Sequence, residues 1–489
     1  GRIYRSADNG LSWSQIFQSP STNRIELAVT ADAPDRLYIL AANGNNGLEG
    51  IYRSDDQGDN ISLIFNSLSL LNWSPSGSGT NDGQGWYDLS LASDPNNADV
   101  VYVGGVNTWK SIDGGYNWDI SNYWSYASGV QTVHADKHYF RFRNGTSVLF
   151  ECNDGGVYST NDGETWTDLS NSLVISQIYG LSTAQTEDDV TIIGLQDNGT
   201  KMRNDGVWED VLGGDGMKCL VDHSDAAIQY GSLYYGQIYR TTNYWGNAVY
   251  ISSNIPGGAA GAWVTPYVLD PNDANVLYVG FSTLWKSNDK GNTFESLGSF
   301  GSLATLDVAE ANSEAIIAGT QNSLNLTTNG GITWNSISGG LPSQSKTDVE
   351  FKYDDPNTIW VTLGGYNEDG VYVTEDGGDT WQNISSGLPE IPVNTIIQNK
   401  FETNEIQLYA GTDFGVYVKN GNSDWELYGS DLPKVVVSEL DIYYDNDIPE
   451  NSRRVRINES DLAGFIGQRS FAKVLQGRDH HFRGLTESF

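Results

Sequence analysis

Apolar residues in this chain gather in short runs, such as VVYVGG from Val100, VLYVG from Val276 and IWVTLGG from Ile359, each bounded by Gly, Asn and Asp. Runs of that length between turn residues read as β-strands. Each of the three follows an Asp-Pro-Asn turn, at Asp94, Asp270 and Asp355, and the first two turns lie seventeen positions before Ser111 and Ser287. Such regular spacing predicts a repeated unit of turn, apolar strand, hairpin and further strand. No run of eighteen apolar residues occurs, so no membrane-spanning helix is predicted.

The hairpin of that unit has a signature. Ser6-Ala-Asp8-Asn-Gly10-Leu-Ser12-Trp13 recurs as Ser111 to Trp118 (SIDGGYNW) and Ser159 to Trp166 (STNDGETW). It recurs again as Ser287 to Phe294, Thr327 to Trp334 and Thr374 to Trp381, while Ser54 to Ile61 has lost the closing aromatic. Fainter copies end at Trp208 and Trp425 and surround Thr241 to Asn243. Ser/Thr and Asp side chains can bond the backbone of their own turn, and Gly supplies a left-handed position. The closing Trp is expected to pack beneath the hairpin.

This pattern resembles the Asp-box, or BNR repeat, of sialidases, sortilin-type receptors and xyloglucanase-type glycosidases. The resemblance implies an all-β fold, a β-propeller with blades of four antiparallel strands. It speaks to fold far more than to chemistry, because in those families the box lies at the propeller periphery. Box starts near 6, 54, 111, 159, 201, 241, 287, 327, 374 and 418 divide the chain into ten blade-sized units. Tandem propellers, the first truncated, are preferred here over one ten-bladed ring of the sortilin kind, which a cysteine-rich module would follow. Residues 1–180 are then blades of an incomplete first propeller, 181–450 a second propeller and 451–489 an atypical basic tail. The start at Gly1 in mid-blade suggests a fragment or a processed chain.

Composition supports this reading. Aromatic residues make up 12% of the chain and charged residues 18%, with 55 Gly and two Met, which opposes both disorder and a helical bundle. Cys152 and Cys219 form no CxxC pair and encode neither a zinc ribbon nor a disulfide framework. The net charge of -35 disfavours nucleic acid, anionic lipid and anionic sugars as partners. Much of that acidity belongs to the turns themselves. The tail runs the other way, with seven of the 27 basic residues against four acids.

Three segments interrupt the repeat and carry candidate chemistry. Leu71 to Asp88 is a Ser/Gly-rich insertion in which Trp73, Trp86 and Tyr87 could stack on a sugar ring while Asp82 and Asp88 bond its hydroxyls; the alternative is a blade connection whose rings pack on the rim. In Val133 to Tyr139, strand alternation would set His134, Asp136 and His138 on one face, within reach of a divalent cation that Asp154 would help to hold. Hydrogen bonding between neighbouring blades is the alternative there. Asp197, in GLQDNG, and Asp215, in GGDG, sit in glycine-rich turns. The xyloglucanase-type resemblance implies an acid from each of two propellers, and Asp197 holds a loosely similar place; a turn aspartate bonding its own backbone is the alternative.

No GxSxG elbow, HExxH helix or GxxxxGK[ST] loop occurs, and the arginine cluster that a sialidase needs is absent from the pattern before residue 451. The expectation is a secreted or cell-surface propeller whose partner is a neutral polysaccharide, with glycoside hydrolysis as the activity if it is an enzyme. The competing expectation is a non-catalytic, sortilin-like propeller or adhesin module that takes an extracellular protein or peptide.

Overall fold

The computed structural model describes residues 1–444 apart from 172, 174, 403, 430 and 431, together with the backbone strand pair Arg454–Arg456 and Lys473–Leu475. The side chains of the basic tail, and so any role for it, lie outside the described residues. The chain divides into two compact units, Gly1–Leu173 and Val174–Phe489.

The first unit contains a two-stranded sheet, 2–18, and three four-stranded antiparallel meanders, 22–65, 90–122 and 137–168. The second contains six more, 178–212, 219–250, 267–299, 303–336, 346–383 and 393–427. These are the blades of an all-β propeller protein, and each box hairpin joins the last two strands of its sheet.

The apolar runs are the second strands. Thr191–Leu195 and Leu277–Gly280 are buried along their whole length, because a neighbouring blade covers each face. The cores are accordingly layers between blades: Val276, Leu284, Leu306 and Ile316 form one, and Trp360, Val393, Leu408 and Trp425 another. Cys152 and Cys219 are both unpaired, the second fully buried.

The box bonds its own turn and also grips its neighbour. Ser111 Oγ accepts from Gly115 N at 2.9 Å, and the Asp113 carboxylate from Asn117 N at 2.9 Å; Thr374 with Gly378, and Asp376 with Thr380, repeat this. In the copy at 159 the roles move by one residue, to Thr160 and Asp162, because that turn is one residue shorter before its Trp. The tryptophans do more than pack beneath the hairpin. Trp118 Nε1 donates within its box to Gly115 O, whereas Trp334, Trp381 and Trp425 donate to Leu297, Ile337 and Ile384 of the preceding blade. Gly378 shows the same junction. Its φ is +94°, and a Cβ there would sit 2.4 Å from Ile337.

The second unit closes on itself through residues 434–444. Val437, Leu440 and Ile442 pack on the blade 393–427. On the other side, Asp441 Oδ2 accepts from Thr183 N at 2.7 Å and Thr183 Oγ1 at 2.9 Å, and Gln185 Nε2 donates to Ile442 O. This segment therefore takes the place of an innermost strand between the last and first full blades of the unit.

Candidate functional site

In a four-stranded meander the turn between strands two and three and the link to the next blade emerge at the same end. On the first unit this end carries the insertion 66–89, the link 123–136 and the turn at Asp154 and Gly155. Two separately predicted segments meet here. Tyr87 OH donates to Asp154 Oδ2 at 2.8 Å, His138 Nε2 lies 2.5 Å from Asp154 Oδ1, and Gln84 Nε2 donates to Asp136 Oδ1 at 2.8 Å. The Tyr87 and His138 rings meet edge to face, 4.7 Å between centroids.

Asp88 lies behind this group with none of its surface exposed. Burial, reinforced by the Asp136 carboxyl beside it, pushes its pKa up to about 9. Asp136 is raised as well, by burial and then by Asp154. At Asp154, burial is outweighed by the His138 and Tyr87 hydrogen bonds, which hold it below the usual carboxylate range; the same bond raises His138. Burial thus works against ionisation at Asp88 and Asp136, while hydrogen bonds favour it at Asp154.

The one-strand geometry expected for His134, Asp136 and His138 does not hold. The strand begins at Lys137, and Asp136 has a φ of +64°, so the backbone turns before alternation can start. His138 reaches Asp154, whereas His134 packs against Gly155. Between them Lys137 is fully buried, its Nζ donating to Val106 O at 3.1 Å and to His134 O, with Glu151 at 3.8 Å. Glu151 is satisfied by Thr108, Asn122 and Asn153.

The predicted aromatic residues reach the surface. Trp86 is 64% exposed and contacts Tyr87, and Trp73 is exposed beside Trp124, whose Nε1 donates to the Trp73 carbonyl. Asn72 shapes the insertion, its amide donating to Ser78 O and Thr80 O. Asp82 accepts from Thr80 Oγ1 within the same loop.

In the second unit, Asp197 and Asp215 come together. Asp215 Oδ1 accepts from Asp197 N at 2.8 Å, and Asp197 sits in the left-handed region at φ +58°. The neighbouring Gln196 accepts from Tyr179 OH at 2.5 Å, and Tyr179 lines a cavity of about 240 Å³. That cavity is bounded by all seven innermost segments of the unit and contains Lys218, Asp348 and Glu439. Lys218 Nζ bonds Glu439 at 3.1 and 3.3 Å.

Acids on the innermost strands reach the next blade in one direction: Asp307 accepts from Phe351 N, Asp348 from Ile396 N and Asp441 from Thr183 N. Burial pushes Asp348 and Asp441 up to about 6 and Asp307 to about 7. Burial works to lower Lys218, but Glu439 and Asp348 outweigh it and hold it above its ordinary value.

Sequence reasoning missed Gln84, Lys137, Glu151, Lys218 and these strand acids. A signal existed for the last group: LATLDV, KTDVEF and SELDIY each set an acid inside an apolar strand.

Fold and repeat together define an Asp-box β-propeller protein. The family model of sortilin (neurotensin receptor 3) matches residues 282–411. Similar solved structures include the GH74 enzyme of Niastella koreensis, at 14% identity over 99% of this chain and 81% of that one, with a TM-score of 0.37. The GH74 xyloglucanase of Xanthomonas campestris aligns at 14% identity over 88% and 76%, with a TM-score of 0.26. YCF48 bound to D1 peptide aligns at 16% identity over 69% and 93%, with a TM-score of 0.38. No curated protein matches the chain. Among the described residues, no helix is long and apolar enough to cross a membrane.

Proposed function

We propose that this chain is a secreted or cell-surface propeller that binds a neutral polysaccharide on the loop face of its first unit. The observation that carries the reading is the exposed Trp86, set against Tyr87 above a group of carboxyl and imidazole side chains. An aromatic face beside hydrogen-bonding groups suits a sugar, whose C–H surface stacks while its hydroxyls seek donors and acceptors. The charge of -35 disfavours anionic glycans. Affinity electrophoresis through a panel of neutral polysaccharides tests the reading. Retardation by at least one glycan, reduced tenfold or more in Trp86→Ala with an unchanged melting temperature, is expected. Equal retardation of the variant would overturn the assignment of this face.

Hydrolysis of a glycan at the second unit is a second reading, favoured by the strained backbone of Asp197 beside Asp215. Reducing-sugar release by the parent, abolished in Asp197→Ala and Asp215→Ala, is its test. Full activity in both variants removes these residues from the chemistry.

A further inference from the structure

The cavity of the second unit has a polarity that the polysaccharide reading does not use. Tyr179, Thr305, Asp348 and Asn394 line it from the starts of the innermost strands Ile178–Thr183, Leu303–Val308, Lys346–Lys352 and Val393–Gln398. Those starts lie where each blade links to the next, so the cavity sits at that end of the unit. One wall is apolar, built from Val264, Pro266, Val268 and Leu306, while Lys218, Asp348 and Glu439 supply the charge. Two carboxyl groups thus share one ammonium.

That ammonium is committed to Glu439, which it meets at 3.1 and 3.3 Å. Asp348 is half-buried and receives only uncharged donors: the Val349 and Ile396 amides at 2.9 and 3.0 Å, and the Thr395 and Thr305 hydroxyls at 2.9 and 3.5 Å. Among the described residues it forms no ion pair. Asp307 and Glu350 stand on innermost strands as well, so the ring adds negative charge around the cavity and no further cation.

The surface around this end is aromatic. Among the described residues of the second unit, four aromatic side chains are exposed, Tyr235, Trp263, Tyr366 and Phe414. Each lies on a turn between strands two and three or on a link between blades, and so at the end where the cavity sits. Trp263 directly precedes Val264 of the apolar wall; Tyr234 stacks parallel to it, 5.5 Å between centroids, and Tyr235 meets it edge-on at 5.4 Å. Tyr366 OH and Asn394 Nδ2 both donate to Asp413, tying the aromatic surface to the cavity lining. Phe414 already carries an ammonium, that of Lys434, 5.2 Å from its ring centroid. Aromatic faces attract cations, as carboxylates do, and a neutral ligand would leave the charge of Asp348 unmatched.

We infer that this cavity binds an organic cation, a primary ammonium group on an apolar stem, with the ammonium at Asp348 and the stem along Val264, Pro266, Val268 and Leu306. The volume of about 240 Å³ equals about eight waters at ~30 Å³ each, more than a butylammonium ion needs. A free amine and a lysine side chain present the same chemistry. The inference is independent of any glycan, since it concerns a ligand of opposite charge to the cavity.

The test uses the full chain at pH 7.5, above the value of about 6 to which burial raises Asp348. Butylammonium and Nα-acetyl-lysine amide are titrated by calorimetry and in thermal melts, with n-butanol as the uncharged comparison. Saturable one-to-one binding of at least one cation, with a rise in melting temperature and no binding of butanol, is expected. Tighter binding of butylammonium identifies a free amine as the source, and tighter binding of the lysine derivative a protein side chain. Asp348→Asn should weaken binding at least tenfold and Trp263→Ala at least threefold, while Ile332→Ala, exposed on a box turn at the opposite end, binds as the parent does. Lys218→Met releases Glu439 and should bind the cation at least threefold more tightly. Should Asp348→Asn fail to fold, Lys218→Met and Trp263→Ala decide. No saturable binding in the parent overturns the site, as does equal binding of butanol, parental affinity in a folded Asp348→Asn or Trp263→Ala, or no gain in a folded Lys218→Met.

Discussion

The Asp441 carboxylate accepts both the backbone amide and the hydroxyl of Thr183, a residue 258 positions earlier in the chain. These two bonds join the segment 434–444 of the second unit to its first full blade. A bond to a charged acceptor contributes about 1.5–3 kcal/mol, so Asp441→Ala should lower unfolding free energy by about 2–4 kcal/mol. Urea denaturation reads it. A loss below about 0.5 kcal/mol would mean that apolar contacts hold the seam unaided.

Two glycines test the junction between blades. Gly378→Ala forces a Cβ against Ile337 and imposes a positive φ on alanine, whereas nothing lies within 4 Å of a Cβ at Gly339. The first substitution should cost about 1–3 kcal/mol and the second stay within about 0.5 kcal/mol of the parent. Equal effects in chemical denaturation would sink the junction argument.

Lys137 and Glu151 form a buried pair, 3.8 Å apart. Lys137→Met leaves Glu151 buried without its cation and should destabilise the protein by about 3–5 kcal/mol. Adding Glu151→Gln should recover part of the loss. A double variant no better than the single one would show that the lysine acts through its stem contacts.

Acid and base limbs of stability have different origins. Hydrogen bonds from their own turns hold Asp8, Asp56, Asp162 and Asp376 at about 2, so their contribution is present above pH 4 and is lost as pH falls toward 2. Asp348, Asp441 and Asp307 are displaced upward by burial. The folded state binds their protons more tightly than the unfolded chain, and that contribution is lost as pH rises from 4 through 6 to 7. Melting temperature should therefore peak near pH 4–5, and Asp348→Asn should flatten the neutral limb. A plateau from pH 4 to 8 in the parent would refute this account.

The blades were legible because each repeats a local instruction: a hydroxyl and an acid that fold one turn, and an apolar run covered on both faces. The relation between Trp381 and Ile337 was not, since a tryptophan's donor has no local mark of its target. The site divides the same way. Tyr87, Asp88, Asp136, His138 and Asp154 were each marked by residue type, but nothing in the spacing of residues 88 and 136 says that their carboxyl groups face one another. Strand alternation failed at Asp136 because one left-handed residue resets the phase.

The grip of each box on the blade before it has an evolutionary corollary. Where Gly378 meets Ile337, Gly331 meets Leu297 and Gly291 meets Ile251, the same plug enters the same socket. A duplicated or deleted unit would find both halves of that joint already in place, so interior blades are interchangeable parts. Asp441 and Thr183 are not, and a lineage that altered the number of blades would have to keep that one clasp or invent another.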